Sequence, residues 1–124
     1  MQLEEFFEWV GGSYQEIKER LQSDALIQRL IIKFLNDKNY EVLCRAVEKE
    51  DYEEAFMGAH TLKGVCKSLG FVQLASSSGE LTELLRNREN EPVDKEKCRE
   101  LFLQICADYQ VVTKAIEKLK EQQE

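Results

Sequence analysis

The chain has 124 residues and a formal net charge of −7, with 17 Lys and Arg set against 24 Asp and Glu. The length suits one compact domain, and 43% hydrophobic with 33% charged residues supplies a core beneath a solvated surface. This acidic balance argues against nucleic-acid binding, whose affinity rests on clustered Lys and Arg. One proline and six glycines are too few for a turn-rich β architecture, so an all-α fold is expected.

Taken in order, Leu3 to Val10 reads as a short helix whose Leu3, Phe6, Phe7 and Val10 can lie over the rest, and Gly11-Gly12 ends it. The stretch has no basic leader and no uninterrupted apolar run, so a signal peptide is not expected. Ser13 then caps a second helix, with Glu16 completing a capping box and Ile17 and Leu21 on its inner side. Ser23 opens a third, in which Leu26, Ile27, Leu30, Ile31, Phe34 and Leu35 recur at helical spacing. Asn36 to Asn39 breaks or bends the path, and Tyr40, Val42, Leu43, Ala46 and Val47 resume it toward Lys49.

Asp51, with Glu54 three residues on, caps a long helix that runs to Leu69, and Gly70 is its expected left-handed stop. Phe71 to Asn87 forms the next helix through Leu74, Leu81, Leu84 and Leu85. Its small stretch Ser76-Ser77-Ser78-Gly79 is read as a seam that lets a neighbouring helix come close. A phosphate-binding loop is rejected there, because no lysine and no strand accompany it. Asn87 to Val93, with Pro92, is the main polar loop, and Asp94 caps a final helix through Leu101, Phe102, Ile105, Val112, Ile116 and Leu119.

The four long segments, about 23–49, 51–69, 71–87 and 94–120, predict an antiparallel four-helix bundle with short accessory N-terminal helices over 1–22. Residues 1–124 then form a single domain. No segment reaches the ~20 apolar residues of a membrane span, so a cytoplasmic chain without a membrane partner is expected, and a monomer is the default. Cys44, Cys66, Cys98 and Cys106 are scattered, without a Cys-x-x-Cys pair, and read as small hydrophobes rather than metal ligands.

The helix from Asp51 to Leu69 carries the only histidine of the chain. At ~100° per residue, Tyr52, Ala55, Ala59, Leu62, Cys66 and Leu69 share one stripe, with Gly58 and Val65 at its border. That stripe is the core face. His60 falls almost opposite, grouped with Glu53, Met57, Gly64 and Lys67, while Phe56 and Lys63 flank the group on the side nearer the core. The imidazole therefore meets water, Gly64 leaves a hollow one turn beyond it, and two ammonium groups lie within reach of a dianion built on the ring. A neutral imidazole nitrogen is a competent nucleophile near neutral pH.

The run Ala59-His60-Thr61-Leu62-Lys63-Gly64, followed by Gly70, resembles the signature of the histidine-containing phosphotransfer (HPt) domain. The resemblance implies a helical phosphocarrier in a multistep two-component phosphorelay. His60 would accept a phosphoryl group from a receiver-domain aspartate through its outer nitrogen, Nε2, and pass it to another receiver. Lys63 and Lys67 would steady the charge and Gly64 would give clearance. Phe56, Met57, Gly64 and Lys67 would meet the docked partner.

Receiver domains, and a hybrid histidine kinase as a further candidate, are the partners implied. No cofactor belongs to the chain itself, since the receiver supplies the magnesium. Where many members carry a glutamine that bonds the imidazole, this chain has Thr82 with Glu83 beside it, so either is a candidate to orient the ring. The competing reading is a non-catalytic module that binds receivers or regulators through the same face without accepting phosphate. Metal binding through His60 and a cysteine is disfavoured, because Cys66 belongs to the core stripe. A histidine kinase is not expected, since no nucleotide-binding domain is recognised.

Overall fold

The computed structural model describes residues 1–86 and 91–122, and every regular element among them is helical. The elements are α1 (Leu3–Trp9), α2 (Tyr14–Leu21), α3 (Asp24–Lys33), a 3-10 turn (Phe34–Asn36), α4 (Asn39–Glu48), α5 (Tyr52–Leu69), α6 (Val72–Leu85) and α7 (Lys95–Glu121). Side-chain oxygens fix four of the starts. Ser13 accepts from Glu16 N, Ser23 from Leu26 N, Asp51 from Glu54 N and Asp94 from Lys97 N, each satisfying an amide that the first helical turn leaves unpaired.

The expected path from 23 to 49 resolves into two helices. At Lys33 the α-helix tightens into the 3-10 turn, and Asp37 adopts an extended conformation with φ −72° and ψ 133°. Its carboxylate accepts from the backbone and side-chain amides of Asn39, both at 2.9 Å, which restarts the chain as α4. These local side-chain bonds compete with helix continuation.

Helix α5 packs between α4 and α6, and α6 packs on α7. The α5 to α6 reversal is made by Gly70, whose φ of +80° is a conformation that glycine adopts without penalty. The Phe71 amide bonds the Cys66 carbonyl at 2.9 Å and closes the helix end. Gly12 sits against this reversal, where a Cβ atom would strike the Gly70 carbonyl oxygen.

Ala55, Ala59, Leu62 and Cys66 are fully enclosed, as the stripe requires, whereas its two ends, Tyr52 and Leu69, are half-buried. Leu62, Leu74, Leu81, Ile105, Ile116 and Leu119 fill the centre, each contributing about 1.5–3 kcal/mol of hydrophobic free energy. On α3, Ile27 and Ile31 are core residues, while Leu26 and Leu30 are only half-buried. Leu3, Phe6, Phe7 and Val10 are buried almost completely, so α1 seals one end of the core. The seal is aromatic: Phe6 meets Phe71 at 5.8 Å, and Phe71 meets Phe34 edge-on at 5.1 Å. Further along, Tyr40 of α4 stacks on Tyr109 of α7 at 3.7 Å.

All four cysteines are free thiols; Cys66 and Cys98 are buried, and Cys44 and Cys106 half-buried. Burial pushes the Cys66 thiol up to about 12. The expected polar loop lies partly outside the described residues, at 87–90; residues 91–94 are non-helical. No helix among the described residues is long and apolar enough to cross a membrane.

Candidate functional site

The site is built on the outer face of α5. Asp51 sets where the helix begins and therefore the angle at which each later residue leaves it, and His60 emerges exposed to solvent. Directly behind it in sequence, Ala59 is fully buried. The imidazole is thus mounted on a helix whose opposite face is locked by α4 and α6. On the α4 side the approach is close, because Gly58 presents no side chain and its Cβ position lies 3.4 Å from the Leu43 backbone.

Gly64 follows on the same face, exposed, and a Cβ placed there would meet nothing within 4 Å. It borders a groove of about 860 Å3 between α2, α3 and α5, with Leu21, Leu30, Phe34 and Val65 among its apolar walls and Lys33 and Asp37 among its charges. Arg20 spans the groove from α2 and donates to the Ser68 carbonyl. The hollow expected from the missing side chain is thus continuous with a depression in the surface.

The two lysines differ. Lys67 is exposed on the His60 face. Lys63 is half-buried and lays its methylene stem along α6, where Gly79 has room for it: a Cβ on Gly79 would stand 3.4 Å from Lys63 Cδ. This gives the small-residue seam of α6 a specific content. Ser77 and Ser78 are buried toward the core, and Gly79 accommodates the stem of Lys63, which lines a groove with Glu80 and Glu83. Met57, one residue past Phe56, is a large apolar side chain 56% exposed to solvent.

The two ring-orienting candidates fall elsewhere. Thr82 is completely buried, and its hydroxyl donates to the Ser78 carbonyl at 2.7 Å within its own helix. Glu83 is exposed, and its carboxylate accepts from Arg86 Nε at 3.2 and 3.3 Å. Among the described residues neither is hydrogen-bonded to His60. The partner of the imidazole is Phe56, one turn earlier on α5, with ring centroids 5.9 Å apart and planes 4° from parallel. The Arg86 guanidinium lies over the same phenyl ring, 5.4 Å from its centroid. Arg86 was not legible as a site residue, since only the packing of α6 on α5 brings it there.

Among the described residues no cluster of His, Cys, Asp or Glu could hold a metal ion. The arrangement is that of a helical post presenting one exposed imidazole, with the open Gly64 position one turn beyond it, and it defines a helical histidine-presenting domain. A family model described as the Hpt domain matches residues 3–122. The chain belongs to the Hpt domain family. Members are phosphocarrier modules that work with receiver domains and kinases in phosphorelays. Comparisons with curated proteins and with solved structures returned no match.

Proposed function

We propose that this chain is a stoichiometric phosphocarrier whose acceptor is His60, working between two receiver domains as one antiparallel four-helix bundle with N-terminal helices attached. The observation that carries the reading is the exposed imidazole on α5, with Gly64 open beside it and Ala59 and Leu62 anchoring the helix behind it.

A receiver docks over Phe56, Met57, Gly64 and Lys67. The neutral imidazole attacks the phosphorus of the receiver's aspartyl phosphate through Nε2. A P–N bond forms as the P–O bond to aspartate breaks, and the electron pair leaves with the carboxylate. The reverse sequence delivers the phosphoryl group to the second receiver. Lys63 and Lys67 offset the charge of the phosphorylated ring, each as a cation held near a dianion. Magnesium belongs to the receiver, and this chain brings no cofactor. The same reading makes the protein cytoplasmic and monomeric, with a hybrid histidine kinase as a further partner.

The test is incubation with a receiver domain carrying labelled aspartyl phosphate. Acid-labile, base-stable label on the wild type, absent from His60→Gln, supports the reading. Tight receiver binding with no label on His60 would replace it with a non-catalytic interaction module.

A further inference from the structure

In a transfer reaction the imidazole must present the in-plane lone pair of one nitrogen along the line of the breaking bond. Rotation about the last side-chain torsion of histidine is soft and roughly two-fold, so a ring without partners samples a wide range of planes. His60 is exposed and has no hydrogen-bond partner among the described residues, and Thr82 spends its hydroxyl on the Ser78 carbonyl. Among the described residues, the contact left to set the plane of this ring is not a hydrogen bond.

We propose that Phe56 is the positioning residue for His60, and that Glu83 and Arg86 hold Phe56 in place. Phe56 and His60 stand four residues apart on α5, the spacing at which helical side chains meet. Their planes differ by 4° at a centroid separation of 5.9 Å, an offset stack that favours one ring plane for the imidazole. Phe56 in turn is half-buried and receives the Arg86 guanidinium 5.4 Å from its centroid. Arg86 is fixed by a two-pronged bond from its Nε to both oxygens of Glu83, and a further nitrogen of its guanidinium lies 3.2 Å from Glu83 Oε1.

The stack runs Glu83, Arg86, Phe56, His60, and it joins the C-terminal end of α6 to the middle of α5. Among the described residues both imidazole nitrogens stay free of hydrogen-bond partners, so the orienting contact does not compete with the incoming phosphoryl group. The proposal rests on the phosphocarrier reading only for why orientation matters; the stack itself can be measured without any receiver.

Two readouts test it, with thermal unfolding as the check on folding. The first is NMR of the His60 ring protons in the unphosphorylated protein. Phe56→Leu removes the ring-current shift on His60, Phe56→Tyr retains it, and Arg86→Gln, at an exposed position, reduces it. The second is the rate of His60 phosphorylation by phosphoramidate, a small donor that needs no docking surface. Phe56→Leu slows it by roughly 3- to 10-fold, the range set by the free energy of an aromatic pair, and Phe56→Tyr restores it.

Unchanged His60 shifts in a folded Phe56→Leu, or a phosphoramidate rate equal to wild type, would overturn the proposal. A loss confined to transfer from a receiver would likewise overturn it, since Phe56 would then serve only in docking. A wild-type protein with the ring-current signature that takes no phosphate from any receiver would sink the phosphocarrier reading and leave the stack standing.

Discussion

Gly64 is placed where structure and function pull in opposite directions. It lies inside α5, six residues from its C-terminal cap, and beyond its chain neighbours and the backbone of its own helix no described atom lies within 4 Å of where its Cβ would be. Glycine inside a helix is disfavoured by about 1 kcal/mol relative to alanine, and here nothing in the packing offsets that cost. Gly64→Ala is therefore expected to stabilise the protein by about 1 kcal/mol. For a domain of this length the unfolding entropy is about 0.26 kcal/mol per kelvin, so the midpoint rises by about 4 °C. Gly64→Leu stabilises with the same sign, because leucine is nearly as good a helix former. It also places four carbons beside the imidazole, in the clearance that a docked receiver needs. Transfer from a receiver is expected to fall by at least about tenfold, on the scale of a clash costing 1–3 kcal/mol, while phosphorylation by phosphoramidate stays within about twofold of wild type. Circular dichroism melts and the two transfer assays, run on the same three proteins, decide the matter. A lowered midpoint in Gly64→Ala would refute the account of the helix, and wild-type transfer in Gly64→Leu would refute the account of the clearance.

Other positions give sharper structural expectations. Gly12→Ala forces a methyl group into the Gly70 carbonyl and should cost about 1–3 kcal/mol in urea unfolding, the opposite sign to Gly64→Ala. Asp51→Ala removes the acceptor for the Glu54 amide, 3.1 Å away, and should cost about 1 kcal/mol while leaving phosphoramidate labelling of His60 intact. Cys66 keeps its proton to about pH 12 when folded but loses it near 9 when unfolded. Above pH 9 the unfolded state therefore binds fewer protons, and the Cys66 contribution to stability falls by at most about 1.4 kcal/mol per pH unit as the pH rises toward 12. Burial raises Cys44 and Cys98 as well, so Cys66→Ala should lessen, without abolishing, the slope seen in denaturant titrations between pH 9 and 10.

The helix that carries the site was legible because three independent signals agree on it. Asp51 with Glu54 marks its start, Gly70 its end, and a 3.6-residue apolar period fixes its inner face. Together they determine the azimuth of every residue between, which is why His60, Gly64 and Lys67 stand exposed where the wheel puts them. The break at residues 36–39 was legible too, although not its mechanism, the Asp37 carboxylate holding both amides of Asn39. That geometry depends on a side-chain rotamer, which no periodicity reports.

Thr82 differs, since its burial is present in the pattern. It stands eight residues after Leu74, four after Ser78 and three before Leu85, all buried, and so shares the inner face of α6. The family resemblance points to this position as one that reaches the histidine, whereas the periodicity of α6 turns it inward. A threonine on that face is short, and its hydroxyl finds the carbonyl one turn back before it finds anything across the interface. The longer arm comes from the last turn, where Arg86 crosses to α5 and covers Phe56. Residues 56 and 86 are thirty apart in sequence and on different helices, so their contact follows from how α6 lies on α5 and from nothing local. Phe56 itself is visible on the helical wheel, flanking the His60 group on the side nearer the core, where its apolar character suggests a contact for a docked partner. Its half-buried ring has the Glu83-paired Arg86 guanidinium over it and His60 stacked with it, so the surface it offers a docked receiver is held still, and that stillness is what a one-nucleophile carrier requires of its ring.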